Sequence, residues 1–361
     1  MPPLRRKVLL SVASLVGILA CGEIGLRTLL QDPALEGSAR DSALRPSNNP
    51  ALTYELAPGT EGRFWGSHVR INAAGFRDDD YGLERTPGVS RVVALGDSIT
   101  FGNRLPIEST WSEQLEALFA EDGRPVEVLN LGVGGYDTRH EVEFLEQTGV
   151  SYQPDHVVLA YCINDLTTVS VNLKRIDSMR HEPRGFLRHS HVARWCAEHW
   201  PRVETTPATP PTAVADPELQ ELRTQLEKLI PKSTIGDAAR HANERRRLGW
   251  YMQVGLLERV ALEFERLADL GREHGFETSV FVVPYLDEGP HDVNGPAWQM
   301  VYSMIQHITE RAGLRYIEMR SCIDKLHEVR IRAEDMVHPN PAGHRRIAER
   351  LLWTADEWLP R

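Results

Sequence analysis

Apolar positions recur along this chain in two alternating rhythms. Short runs at Val92 to Leu95, Val126 to Leu131, His156 to Tyr161 and Thr278 to Val283, with a shorter one at Arg315 to Glu318, have the length of strands buried on both faces. Between them, apolar residues return at the three- and four-residue spacing of amphipathic helices. Trp111, Leu115 and Leu118 share one face. Leu256, Val260, Phe264, Leu267 and Leu270 share a second, and Val301, Met304, Ile305 and Ile308 a third, within a helix over Trp298 to Ala312. Helix starts are marked as well. Thr110 with Glu113, and Thr138 with Glu141, read as capping boxes, the second opening a helix to about Thr148. Asn340 and Pro341 read as the N-cap and first residue of a last helix. Alternating helices and buried strands predict an α/β fold with a parallel sheet covered on both faces.

The amino terminus breaks this pattern. Arg5-Arg6-Lys7 precede an apolar run from Val8 to Cys21, the layout of an export signal. Residues 1–30 are expected to be a signal anchor or a signal peptide. Retention as an N-terminal membrane-anchor helix is favoured over cleavage. Lipidation is a third outcome, because Ile18-Leu19-Ala20-Cys21 resembles a lipobox. Basic residues held inside would place the rest of the chain outside the cytoplasm, on the periplasmic or extracellular side. Residues 31–89 read as a linker and a small β-rich segment: a polar, proline-containing tether to about residue 50, then an apron over Tyr54 to Arg77. The main domain spans 90–361. It carries a helical and loop insertion at about 167–248, whose Glu204 to Thr212 stretch is too rich in proline and threonine to pack as an element. Within the insertion, Pro217 to Ile230 reads as a helix.

With 361 residues the chain can bury a large core. A net charge of −10 offers no basic field to displace counterions from phosphates, so no nucleic-acid partner is expected. The cysteines, Cys21, Cys162, Cys196 and Cys322, form no CxxC pair and are expected as buried free thiols. His189, His191, Cys196 and His199 match no standard ligand spacing and read as solvated residues of a lid; no metal or other cofactor is expected.

Chemistry gathers at the strand ends, where open α/β sheets bind ligands. Ser98 follows the first strand, Gly134-Gly135 the second, Asn164 the third; Asp335 and His338 follow the fifth. A serine hydroxyl needs an adjacent base to attack. His338 fits, on an extended turn imposed by Pro339. Asp335, three residues earlier, is placed to hold the far ring nitrogen. Attack on an ester carbonyl creates an oxyanion that needs aimed donors. The Ser98 and Gly135 backbone N–H groups and the Asn164 amide are the candidates, so the catalytic set reads Ser98, Asp335 and His338, and the oxyanion hole Ser98, Gly135 and Asn164. Asp97 reads as a turn hydrogen-bond acceptor, His140 as a helix-surface residue, and Trp111 and Trp298 as core. Tyr136 and Tyr285 read as lining a substrate pocket.

Gly96-Asp-Ser-Ile-Thr100 resembles the first sequence block of the GDSL lipase/esterase group, the SGNH hydrolases. Asn130-Leu-Gly-Val-Gly-Gly135 is similar to the second block, Ile163-Asn164-Asp165 to the third and Asp335-Met-Val-His338 to the fifth. The resemblance covers roughly residues 90 to 355. It implies a flavodoxin-like three-layer α/β/α sandwich and metal-free hydrolysis of ester, thioester or carbohydrate acyl groups. Cys162 departs from it, standing where the third block has glycine and narrowing the space beside Asn164. An α/β-hydrolase nucleophile elbow is excluded, since it needs glycine two residues after the serine and Thr100 is there. The expected function is an exported esterase acting on acyl esters, acetyl esters among them. The alternatives are acyl transfer to a cell-envelope polysaccharide by the same site, and a non-catalytic binding protein on the same fold.

Overall fold

The computed structural model describes residues 43–167, 216–230, 246–284, 286, 295–322, 326–332, 335 and 337–359, with scattered positions between 11 and 21. Its centre is a five-stranded parallel sheet. The strands are β5 (Ser90–Gly96), β6 (Val126–Asn130), β7 (His156–Tyr161), β8 (Glu277–Val282) and β9 (Arg315–Ile317), in the spatial order β6-β5-β7-β8-β9. With β5 as the first strand of the sheet this is the flavodoxin-like order 2-1-3-4-5. The order reverses between β5 and β7, the place where open sheets of this kind bind ligands beyond the strand ends. β7 is buried at every position, as a central parallel strand must be.

Helices cover both faces. α1 (Ser98–Phe101) is a single turn after β5, followed by α2 (Trp111–Glu121). α3 (Thr138–Gln147), α4 (Pro217–Leu229), α5 (Leu256–His274), α6 (Pro296–Arg311) and α7 (Pro341–Trp353) follow in chain order. α2 packs against α7, while α3 meets α5, α5 meets α6, and α4 lies on α6. Trp111 and Trp298 are in the core, at 0% and 1% exposure. Asn340 caps α7 by accepting the Gly343 N–H, with Pro341 at the first position, as the sequence pattern predicts.

Two starts differ from the expected capping boxes. Thr110 accepts the Glu113 N–H, but its own N–H goes to the Ile107 carbonyl, so the reciprocal arm is absent. α3 is capped by Asp137, whose carboxylate accepts the His140 N–H. Aspartate outcompetes the neighbouring threonine as a cap, which moves Glu141 one position further along the helix and into the interior.

The segment before the sheet is built of two antiparallel pairs, β1 (Leu44–Pro46) with β2 (Tyr54–Leu56) and β3 (Glu61–Phe64) with β4 (Ser67–Arg70). β1 lies within the stretch expected to be tether, with Ala43 and Leu44 buried. Tyr54 and Tyr136 pack ring to ring, and the Tyr136 hydroxyl donates to the Tyr54 carbonyl at 2.6 Å. This segment also closes the sheet edge. β6 leaves outward-facing N–H groups at Val128 and Asn130; Glu116 of α2 accepts the first at 2.6 Å and Asp78 the second at 2.7 Å.

Among the described residues no helix is long and apolar enough to cross a membrane. The expected anchor, residues 1–30, falls almost wholly outside the described residues, and the fold lends it no support. The Glu204 to Thr212 stretch also lies outside them, as do Tyr285, His189, His191, Cys196 and His199. Cys162, Cys322 and Cys21 are free thiols; only Cys162 is buried, Cys322 being half-buried and Cys21 exposed.

Candidate active site

The site is built first by β5 and the turn that ends it. Gly96 has φ +154, and a Cβ there would lie 2.3 Å from Thr100 Oγ1, so only glycine lets α1 fold back tightly on the strand. Asp97 caps α1: its Oδ1 accepts the Ile99 N–H at 2.9 Å. Ser98 is then the first residue of α1, just beyond the carboxyl end of β5. The Asn130 side chain braces this turn from the second strand, donating to the Thr100 carbonyl and to Ser112 Oγ while its Oδ1 accepts the Gly132 N–H. Gly132 passes so close that a Cβ would meet Phe101 N at 2.2 Å.

Ser98 Oγ lies 2.9 Å from His338 Nε2. On the far side of the ring, His338 Nδ1 lies 3.0 Å from Asp335 Oδ2 and 3.1 Å from Oδ1. Asp335 also accepts the backbone N–H groups of Val337 and His338, so one carboxylate shapes the loop and orients the ring. The loop is fastened elsewhere too: the Ile331 N–H donates to the His338 carbonyl and the Asn340 N–H to the Val329 carbonyl. Burial alone would raise the Asp335 carboxyl. The hydrogen bond and charge of His338, with the His338 and Val337 N–H donors, outweigh it and hold Asp335 well below the usual carboxylate range. Arg104 adds an ion pair to Asp335 Oδ2 at 2.9 Å.

The oxyanion candidates converge on the same serine. The backbone N–H groups of Ser98 and Gly135 make no hydrogen bond among the described residues. Gly135 has φ +84, a conformation glycine adopts without strain, and a Cβ on neighbouring Gly134 would lie 3.9 Å from Ser98 Cβ. Asn164 Nδ2 donates to Asp97 Oδ2 at 3.3 Å, and that same oxygen is 3.3 Å from Ser98 Oγ. One Nδ2 hydrogen remains for a ligand. The structure thus brings Ser98, His338 and Asp335 together, and places Asn164 and the Gly134-Gly135 turn beside them.

Beyond these residues lies a buried acidic group. Asp97, Asp165 and Glu141 are all at 2% exposure or less. Asp165 Oδ2 accepts the Cys162 N–H at 2.6 Å, whereas Asp165 Oδ1 and both Glu141 oxygens have no hydrogen-bond partner among the described residues. Burial, and then the charges of Asp97 and Asp137, push the Glu141 carboxyl well up; burial, Glu141 and Asp97 do the same to Asp165. Neutral carboxylic acids satisfy this interior better than ionised ones. Asp97, Cys162 and Asp165 bring potential ligand atoms within 4.8 Å of one another, but hydrogen bonds already engage Asp97, Cys162 and one oxygen of Asp165.

Several placements differ from expectation. His140 is fully buried, not on the helix surface; its Nδ1 meets Asp137 Oδ1 and its ring stacks on Tyr136 at 5.2 Å. Tyr136 is a core residue at 1% exposure, packed against Tyr54 of β2. Asp97 is the turn acceptor that the sequence suggests. Arg77 carries no motif, yet its fully buried guanidinium donates to the carbonyls of Phe101, Gly102, Leu105 and His68. It therefore stops α1 from the carboxyl end, where a cation is favourable. Burial lowers its pKa to about 10, which leaves it charged near neutral pH. His344 of α7, held neutral by burial with a pKa of about 3, accepts the Trp111 N–H through Nδ1.

The model of the GDSL-like lipase/acylhydrolase family matches residues 94–346, which contain every residue named above as catalytic or oxyanion-binding. The chain belongs to this family of ester-bond hydrolases. An arylesterase of Vibrio mimicus is 32% identical over 75 residues, which are 21% of this chain and 38% of that protein; the GDSL chain thus spans well under half of that relative's length. Among solved structures, the psychrotrophic esterase EstA from Pseudoalteromonas sp. is 13% identical, with 75% of this chain and 100% of that one covered and a TM-score of 0.41. The acetylxylan esterase Axe2 from Geobacillus stearothermophilus is 14% identical, covering 73% and 93%, also with a TM-score of 0.41.

Proposed function

We propose that this GDSL-family protein is an exported serine esterase that cleaves acyl esters, acetyl esters included, with Ser98 as nucleophile. The observation that carries the reading is the unbroken line of contacts from Ser98 Oγ through His338 to Asp335, with the backbone N–H groups of Ser98 and Gly135 unbonded among the described residues. In the first step Ser98 Oγ attacks the ester carbonyl and its proton passes to His338 Nε2. Asp335 stabilises the imidazolium that forms and fixes its tautomer. The carbonyl oxygen becomes an oxyanion held by the Ser98 and Gly135 N–H groups and by Asn164 Nδ2. Collapse expels the alkoxide, which takes the proton from His338, and leaves an acyl-serine. Water then attacks that ester, His338 takes its proton, and the acid is released as Ser98 regains its hydrogen. Export rests on the basic start and the apolar run from Val8 to Cys21. Membrane attachment through residues 1–30 has the same sequence support and no other.

The test is hydrolysis of p-nitrophenyl esters of increasing chain length, by the wild-type protein and by Ser98→Ala. The expected result is activity in the wild type, greatest for short chains, and none above background in the variant. Normal hydrolysis by Ser98→Ala would sink the assignment. Adding a polysaccharide acceptor separates hydrolysis from transfer: free acid as sole product is expected, and acylated sugar would favour the transferase reading.

A further inference from the structure

Asn164 is held at its backbone and pinned at its side chain by different groups. Its carbonyl accepts the Thr167 N–H at 3.0 Å, and the preceding carbonyl, of Ile163, accepts the hydroxyl of fully buried Tyr251 at 3.1 Å. Asp165 clasps the loop by accepting the Cys162 N–H, and the Asp165 N–H donates back to the Cys162 carbonyl at 2.9 Å. None of these bonds decides which way the Asn164 amide faces. Two others do. Asp97 Oδ2 accepts from Asn164 Nδ2, and Cys162 Sγ lies 2.8 Å from Asn164 Oδ1.

We infer that Cys162 is a positioning residue of the oxyanion hole: its S–H donates to Asn164 Oδ1 and keeps the Nδ2 edge of that amide on the Ser98 side. This rests on the serine-esterase reading of the site. Rotating the amide by half a turn would set its carbonyl against the Asp97 carboxyl and its NH2 against a thiol hydrogen. The Asp97 contact would then be lost and the thiol left with only its weak acceptor role, so the two groups together favour the observed orientation. Burial favours the S–H form, the form that donates. Cys162 is 1% exposed, and burial, together with the Asp97 and Asp165 carboxyls, pushes its pKa well above the ordinary thiol value. A hydrogen bond accepted at an amide oxygen also polarises the amide and strengthens its N–H donors. The side chain that crowds the position where the family carries glycine thus does a task that glycine cannot do.

The experiment compares Cys162→Ala, which loses the donor, with Cys162→Ser, which restores one in nearly the same volume, each alone and with Asn164→Ala. Turnover of a p-nitrophenyl ester is expressed per site titrated by an alkyl phosphonate, so a misfolded fraction does not enter. Cys162→Ala is expected to lower kcat about tenfold at little changed KM, less than the roughly hundred- to thousandfold loss of a whole oxyanion donor. Phosphonate inactivation should slow by the same factor, since its tetrahedral adduct uses the same hole. Cys162→Ser should stay within about threefold of wild type, and Cys162→Ala should cost less than about twofold once Asn164 is alanine. Equal losses in the alanine and serine variants, or an undiminished loss in the Asn164→Ala background, would overturn the inference. Ser98→Ala keeps the two claims apart. If it remains active, the esterase reading fails. If it is dead while the Cys162 and Asn164 losses simply multiply, only the role of Cys162 fails.

Discussion

Asp335 and Glu141 are carboxyl groups of one active-site region whose titration is pushed in opposite directions. Asp335 sits with a histidine ring, two backbone N–H groups and an arginine around it, and stays ionised far into acid. Glu141 sits in the dry interior with Asp97, Asp137 and Asp165 as its electrostatic neighbours, and its carboxyl is pushed well up. Burial pushes both carboxyls up; donors at one and further carboxyls at the other decide the outcome. A base has to be helped by a charge, whereas a buried group without donors has to avoid one. The region meets both needs with the same functional group by changing only its neighbours.

The largest effect should come from neutralising the ionised member. Asp335→Asn keeps the shape but offers the wrong hydrogen-bonding partner to His338 Nδ1. It should lower kcat by roughly ten-thousand-fold, as steady-state kinetics on an activated ester will show. A loss under about tenfold would mean that another group orients the ring.

Glu141 should respond through stability and its pH dependence. Its folded pKa is raised above the unfolded value near 4.3. Its favourable contribution is therefore complete below that value and is lost as pH rises toward the folded pKa, because the unfolded chain releases the proton first. Glu141→Gln keeps a neutral donor and removes the titration. Urea midpoints should fall from pH 5 to pH 8 by less in Glu141→Gln than in the wild type. Equal falls would show that Glu141 is already ionised in the folded protein.

Much of this architecture was legible before any coordinates. The strands stood out because parallel strands covered on both faces are unbroken apolar runs, and the site residues stood out because each follows a strand end. What stayed hidden depends on contacts far apart in sequence. His140 and Glu141 look like the polar face of α3 until Tyr54 and the β1–β2 segment cover Tyr136 beside them. Arg77 has no periodicity to betray it; only the fold carries its guanidinium to the carbonyls that end α1. The cap of α3 was misread by one residue, since Asp137 and Thr138 are both good caps and only the backbone geometry separates them.

The smallest effect belongs to the periphery of the ionised flank. Arg104 is partly exposed and pairs with Asp335, so solvent discounts its charge. Arg104→Gln should lower kcat/KM by no more than about fivefold. High salt should shrink the difference between the two proteins. A difference undiminished at high salt would mean that Arg104 acts through a direct contact and not through its charge on Asp335.

The most direct test is covalent. The protein is treated with an alkyl p-nitrophenyl phosphonate, and the adduct is located by peptide mass spectrometry in the wild type, Ser98→Ala and His338→Ala. One adduct on Ser98 is expected in the wild type, formed in step with the loss of esterase activity. Ser98→Ala should carry none, and His338→Ala should label slower by orders of magnitude because the hydroxyl has lost its base. An adduct on another residue, with full activity retained in Ser98→Ala, would contradict the assignment of Ser98 as the nucleophile.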